Sequence, residues 1–168
     1  MTQKRTLRFS LLGAVAVSAL LYAAPSAPVA DAAMHGNKDA VRALLKQAAD
    51  VNAAQGDGMT ALHWAAVKDD ADLVQTLLFA GANVRATTRI GSYTPLILAA
   101  KSGSGAVIAP LLKSGADANS QTANGTTALM LASASGNADA VKLLITNRPP
   151  PPPFAARFEA LDVKVLHG

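Results

Sequence analysis

Residues 58–66 of the chain read GMTALHWAA, and the same pattern returns twice further along the sequence. Residues 91–100 read GSYTPLILAA, and residues 125–133 read GTTALMLAS. The threonines of the three copies stand 34 and then 33 residues apart, at Thr60, Thr94 and Thr127. A nearly constant period of this length predicts an array of similar structural units rather than one irregular core.

Two further landmarks keep the same phase. The first is a turn residue followed five positions later by Val or Ile and eight positions later by Leu; its turn residues are Gly36, Asp69, Gly103 and Gly136. The second follows the leucines and reads AADVNA at 48–53, GANVRA at 81–86 and GADANS at 115–120. Together the landmarks indicate four repeats, at about 27–54, 55–87, 88–121 and 122–148.

This pattern resembles the ankyrin repeat, which reads Gly-x-Thr-Pro-Leu-His-x-Ala-Ala, then Gly, then Val-x-x-Leu-Leu and Gly-Ala-Asp-Val-Asn. The resemblance covers residues 27–148 and implies an all-α solenoid. Each repeat would be a finger loop followed by two antiparallel helices. One such unit cannot bury its apolar face alone, so stacking of the repeats is expected to create the core.

The repeat motif has a physical interpretation on this fold. Thr60, Thr94 and Thr127 stand where a helix N-cap is needed, and Pro95 follows at the first helical position, where its missing N–H is not required. In the family, the histidine found here as His63 bonds to the preceding threonine and bridges to the next repeat. Pro110 falls inside the second helix of the third repeat and predicts a late start or a kink there.

Residues 1–26 have the layout of a secretory signal peptide. Three basic residues precede an uncharged run at 9–24, and small residues and prolines follow. We expect cleavage near Ser26, with Ala30 or Ala32 as alternatives. The protein is therefore predicted to be exported and periplasmic; secretion, or a membrane anchor formed by an uncleaved signal, are the alternatives.

Residues 149–168 depart from the repeat pattern. They begin with five consecutive prolines, which favour an extended polyproline II spacer. Apolar residues then recur at helical spacing, at Phe154, Phe158, Leu161 and Val165. This tail is expected either to dock on the open end of the last repeat or to be disordered.

Charge and cysteine content exclude several classes of function. Removing Lys4, Arg5 and Arg8 with the signal leaves 12 of the 15 basic residues against 11 acidic ones, a net charge of +1. Nucleic-acid binding requires a concentrated basic face, so it is not expected. The chain has no cysteine, which excludes disulfides and a thiolate nucleophile.

No catalytic, metal or cofactor site is expected. The three histidines are scattered and show no metal-ligand spacing. Asp69, Asp70 and Asp72 form an acidic cluster, which we interpret as a solvated turn and a helix N-terminus, where acidic groups suit the helix dipole.

The surface is therefore the candidate site. In the family, partners bind along the finger tips and the first helices of the repeats. The corresponding positions here are Asp57, Met59, Val67, Lys68, Arg89, Ile90, Tyr93, Lys101, Ser102, Asn124 and Thr126, with Ala134 and Ser135 after them. Arg, Tyr and Met are enriched at protein interfaces.

The expected function is that of a monomeric, non-enzymatic module in the cell envelope that binds an unidentified protein partner without cofactors. The first alternative is a secreted effector or immunity-type protein that acts on another cell. The second is a hydrolytic enzyme, for which no residue spacing selects a catalytic set.

Overall fold

Four helix pairs make up the described part of the molecule. The computed structural model describes residues 27–148. Its helices are α1 (Pro28–Met34), α2 (Lys38–Lys46), α3 (Ala61–Val67), α4 (Ala71–Phe79), α5 (Pro95–Ser102), α6 (Gly105–Lys113), α7 (Ala128–Ser135) and α8 (Ala138–Thr146). Over this range no strand forms, although Gln121 and Thr127 make an isolated antiparallel bridge. The predicted all-α repeat solenoid is confirmed.

The helices stack in two layers. The inner helices, α1, α3, α5 and α7, pack side by side, and each contacts the outer helix of its own pair. In the second layer α4 packs on α6, and α6 on α8. Small side chains allow the inner helices to approach closely, since Ala65 and Ala66 in α3 and Ala99 and Ala100 in α5 are fully buried.

Leucine and β-branched side chains fill the space between the layers. Leu62, Leu96, Leu77 and Leu111 are almost completely buried, whereas Leu129 in the last inner helix is half-buried. Burying one such side chain stabilises the fold by about 1.5–3 kcal/mol. These leucines therefore stabilise the packing of the two layers.

Polar side chains cap most of the helices. The hydroxyl oxygens of Thr94 and Thr127 accept hydrogen bonds from backbone N–H groups three residues later, each at 3.2 Å. The hydroxyl of Thr60 instead bonds to the His63 ring. The side chains that cap the outer helices are those of Asn37, Asp70, Ser104 and Asn137.

Two of the turns that directly follow helices have a residue other than glycine in the left-handed backbone conformation. Ala48 follows α2 with φ 58°, where the next two repeats have Gly81 and Gly115. Asp69 follows α3 with φ 56°, where the other repeats have glycine. The carboxylate of Asp69 accepts a hydrogen bond from the hydroxyl of Ser104, which ties this turn to the third repeat.

The late start predicted for the second helix of the third repeat is wrong. Helix α6 begins at Gly105, in phase with the starts of α4 and α8, and all three have nine residues. The side chain of Ser104 accepts from Val107 N–H at 3.3 Å, so the first turn is capped before Pro110 is reached. The helix continues beyond the proline, because Ser114 N–H donates to the Pro110 carbonyl at 3.0 Å.

The predicted signal peptide (residues 1–26) and the predicted spacer and tail (149–168) lie outside the described residues. Between residues 27 and 148, the helices are too short to cross a membrane.

Candidate functional site

A buried histidine joins the second repeat to the third. Nε2 of His63 lies 3.0 Å from the carbonyl oxygen of Tyr93, and a carbonyl can only accept, so Nε2 carries the proton. Nδ1 is then the acceptor for the backbone N–H of Thr60 at 3.1 Å, with the Thr60 hydroxyl at 2.8 Å. These contacts are the ones that the family resemblance implies for this histidine.

The environment of His63 favours its neutral form. Burial lowers the pKa of the ring, and it outweighs the opposing effects of the Tyr93 and Ala86 carbonyls and of the Asp57 charge. A neutral ring with both nitrogens engaged is a structural group. It has no nitrogen left for proton transfer to a substrate.

The finger loops, residues 55–60, 88–94 and 122–127, are hydrogen-bonded to one another. Arg89 N–H donates to the Asp57 carbonyl at 2.8 Å, and Ala123 N–H donates to the Gly91 carbonyl at 2.9 Å. Gly58 is required where the first two loops touch, because a Cβ there would lie 2.7 Å from the Arg89 nitrogen. The loops therefore form one continuous row.

The third repeat's finger loop contains the extra residue of the array and has an unusual shape. Gly91 and Ser92 both take left-handed conformations, with φ 80° and 52°. The Tyr93 ring lies against Gly91, so a side chain at this position would require the ring to move. Buried Thr88 donates its hydroxyl to the Ile90 carbonyl at 2.8 Å and accepts from Tyr93 N–H at 3.0 Å. These bonds hold Ile90 at the loop tip with 81% of its surface exposed.

The candidate partner-binding residues all lie at or near the surface. Met59, Tyr93 and Thr126 are half-buried, and the exposed ones are Asp57, Val67, Lys68, Arg89, Ile90, Lys101, Ser102, Asn124, Ala134 and Ser135. Of the repeat-motif residues, Thr127 is half-buried, and those fully inside are Thr60, His63, Thr94 and Pro95. The first set lies on the finger loops and inner helices, which together we call the finger face.

One polar cluster on the finger face was missed by the sequence analysis. Gln55 accepts from Trp64 Nε1–H at 2.8 Å and donates to the Asp31 carboxylate at 2.6 Å, so it links the first two inner helices. At the position of Gln55, the next two finger loops each have a buried threonine. This substitution of glutamine for threonine is the sequence feature that could have predicted the cluster. Trp64 itself is half-buried.

Positive charge is concentrated at the end of the second repeat and in the third. No acidic residue occurs between Asp72 and Asp117, whereas that stretch contains Arg85, Arg89, Lys101 and Lys113. Among the described residues, side-chain ion pairs involve only Lys38 and Arg42 as cations. Arg89 and Lys101 on the finger face therefore form no side-chain ion pair within the described residues.

The aspartates of the acidic cluster in the second repeat form hydrogen bonds and an ion pair with nearby residues. Asp70 caps α4 by accepting from Leu73 N–H at 3.1 Å, and it lies 2.7 Å from the Lys38 ammonium. Asp69 is bonded to Ser104. In residues 27–148 no group of three or more His, Cys, Asp or Glu side chains is placed to hold a metal ion.

Comparison with known proteins agrees with the geometry. A family model of ankyrin repeats in 3 copies matches residues 16–88 and 87–152. Tyrosine-protein kinase Shark of Drosophila melanogaster is 32% identical over 120 residues, which are 71% of this chain and 13% of the kinase. Neurogenic locus notch homolog protein 1 is 34% identical over 116 residues in Xenopus laevis (69% of this chain, 5% of the relative) and 37% over 117 in Homo sapiens (69% and 4%).

The chain thus spans only a small part of the length of each of these relatives. The family model covers well over half of the chain. The chain belongs to the ankyrin repeat family.

Proposed function

We propose that this chain is a monomeric, non-enzymatic protein-binding module of the cell envelope, which holds its partner along the finger face. Ankyrin repeats mediate protein–protein interaction. The observation that carries the proposal is the finger loop of the third repeat, where the adjacent residues Arg89 and Ile90 are both exposed.

The loop is held in place before any partner arrives. Internal bonds from Thr88 and the contact of Arg89 N–H with Asp57 restrict its backbone. Association carries an entropic penalty for each loop or side chain that must be ordered. A preformed loop reduces that penalty, so few anchor side chains are needed for useful affinity.

The charges of the face define the partner's chemistry. Arg89 and Lys101 have no ion-pair partner within the described residues, and the third repeat's finger loop and inner helix contain no acidic residue. A partner segment with carboxylates around one apolar side chain would complement Ile90 and the two cations. Electrostatic attraction of this kind mainly raises the association rate, and added salt weakens it.

A location in the envelope is proposed from residues 1–26, whose charge and apolar run are typical of an export signal. Fractionation of the producing cells tests it. Recovery of the mature chain in the periplasm supports the proposal, whereas recovery in the medium favours the secreted effector.

Affinity capture from envelope extract tests the binding face. Wild-type protein is compared with Arg89→Ser/Ile90→Ser and with the control Lys46→Ser/Phe79→Ser, which changes exposed residues of two outer helices. Proteins that bind to the wild type and the control but not to the Arg89→Ser/Ile90→Ser protein (the finger variant) are purified. Each is then titrated with the three proteins to measure its affinity. We expect about 10- to 100-fold weaker binding for the finger variant, as for the loss of an interface hot spot. Equal affinity of all three proteins would exclude this face.

The non-enzymatic assignment has its own test. The purified chain is incubated with ester, peptide, phosphate and glycoside substrates, with and without divalent metals. No turnover is expected, because the neutral, hydrogen-bonded His63 has no free nitrogen. Turnover that His63→Ala abolishes without unfolding the protein would overturn the assignment.

A further inference from the structure

One face of the third repeat is covered by the fourth repeat. The equivalent face of the fourth repeat is left uncovered by the described residues. A Cβ on Gly103 would lie 2.6 Å from the Ser135 hydroxyl, and one on Gly105 would lie 3.7 Å from Asp139 and Leu143, so both glycines face the fourth repeat. One period later these positions are Gly136 and Ala138. Nothing among the described residues lies within 4 Å of a Cβ on Gly136.

This end face, formed by α7 and α8, is apolar. Met130 is 60% exposed, although Ile97 at the same phase of the third repeat is fully buried. Ile145 is 57% exposed, whereas Leu112 at the same phase is half-buried. A shallow cavity of about 490 Å³ runs along α8, and its lining includes Ser133, Gly136, Ala138, Val141, Lys142 and Ile145. Repeat arrays need such ends to be covered to stay soluble.

The chain itself supplies a suitable occupant immediately afterwards. Residues 149–153 are prolines, and five residues of polyproline II extend about 15 Å. Packed helices lie about 8–10 Å apart, so this spacer can carry the chain from the end of α8 onto the end face. The sequence beyond it does not repeat the landmarks of the array and therefore is not a fifth repeat.

The segment 154–165 matches the end face in polarity. Phe154, Phe158, Leu161 and Val165 would form one apolar stripe on a helix. On such a helix Asp162 borders one edge of the stripe, and Arg157 and Lys164 border the other. The exposed Lys142 beside the cavity can pair with Asp162.

We propose that residues 154–165 form a helix that docks its apolar stripe on the end face and caps the solenoid. Met130, Val141 and Ile145 contact the stripe. The inference concerns the end of the array and does not depend on what the finger face binds.

Hydrogen exchange of the full chain tests the proposal. The variant Phe158→Ser/Leu161→Ser removes the centre of the stripe, and Ala156→Ser/Ala160→Ser is the matched control off the stripe. We expect backbone amides of α8 to exchange about tenfold faster in the stripe variant and at the wild-type rate in the control. Unchanged exchange in the stripe variant, or equal acceleration in both variants, would overturn the proposal.

Cysteine cross-linking identifies the occupant directly, because the chain has no native cysteine. A disulfide requires Cα atoms within about 7 Å of each other. Under mild oxidation, Ile145→Cys/Leu161→Cys is expected to form an intramolecular bond. The control Phe79→Cys/Leu161→Cys, with Phe79 on α4, is expected to stay reduced. Equal oxidation of the two pairs, no oxidation of either, or mainly intermolecular bonds from position 145 would contradict docking of this segment.

Discussion

His63 and Tyr93 are joined by a hydrogen bond of 3.0 Å from the imidazole Nε2–H to the backbone carbonyl, across the boundary of the second and third repeats. The bond starts in an inner helix and ends at the base of the loop that carries Arg89 and Ile90. The same carbonyl accepts from Thr88 N–H at 3.0 Å inside that loop. The position of the proposed anchors therefore depends on the contact between the repeats.

Replacement of His63 by alanine should destabilise the fold strongly. It leaves the Thr60 N–H without its side-chain acceptor and creates a cavity at a fully buried position. We expect the free energy of unfolding to fall by about 2–4 kcal/mol, as measured by urea denaturation. His35→Ala is the control, because His35 is exposed. Similar losses for the two variants would show that the His63 contacts add little.

Acidification should weaken the fold through the same residue. The folded-state pKa of His63 lies below its ordinary value of 6.5, so the unfolded chain binds the proton first as the pH falls. The stability due to this group is complete above pH 6.5. It is lost as the pH falls from there through the folded pKa, at up to about 1.4 kcal/mol per pH unit.

Urea denaturation at several pH values between 7 and 5 (roughly the range in which histidines titrate) measures this slope. His63→Ala should lose most of the slope that the wild-type protein shows. A slope that persists in His63→Ala would assign it to another group.

Ala48→Gly should stabilise the protein. Ala48 has φ 58°, and the left-handed conformation disfavours a residue with a Cβ by about 1 kcal/mol. We expect a gain of this order in thermal or urea unfolding. The same substitution at Ala43, exposed within α2, should lower stability by about 1 kcal/mol. Destabilisation by both substitutions would mean that the strain at Ala48 is negligible.

Asp70 should contribute both as a helix cap and as an ion-pair partner. Burial raises its pKa, but the hydrogen bonds from Lys38 and from Leu73 N–H outweigh burial, and the net pKa is lowered. Its contribution is therefore present above about pH 3.8 and is lost as the pH falls further. Asp70→Ala should lower the unfolding free energy by about 1 kcal/mol, since the cap of α4 is lost.

The variant Asp70→Asn separates the two roles, because its amide oxygen can still cap the helix. It should lose less stability than the alanine variant, and its stability should respond less to added salt than that of wild type. An equal loss in Asn and Ala variants would assign the effect to the charge rather than to the cap.

The period of the sequence predicts most of the fold because one pattern is repeated. Thr94 and Thr127 cap their helices at the positions that the repeat period predicts. Leu62 and Leu96 are buried, also as predicted. The predicted late start of α6 was wrong because a local propensity was weighed without the tertiary contacts that hold this helix.

Details of the candidate face were less predictable. The extra residue in the third repeat's finger loop was visible, but its consequence depends on Ser92 adopting φ 52° and on the Tyr93 ring covering Gly91. The Gln55 cluster depends on contacts between side chains of different repeats. Such contacts are not encoded in the spacing of one motif.

The exchange footprint of the bound partner tests the central claim most directly. The account predicts that backbone amides in the finger loops and inner helices, residues 55–67, 88–102 and 122–135, become protected when the captured partner is added. It also predicts unchanged exchange in α4 and α6. Protection confined to the outer helices, with the finger loop of Arg89 and Ile90 unaffected, would contradict it.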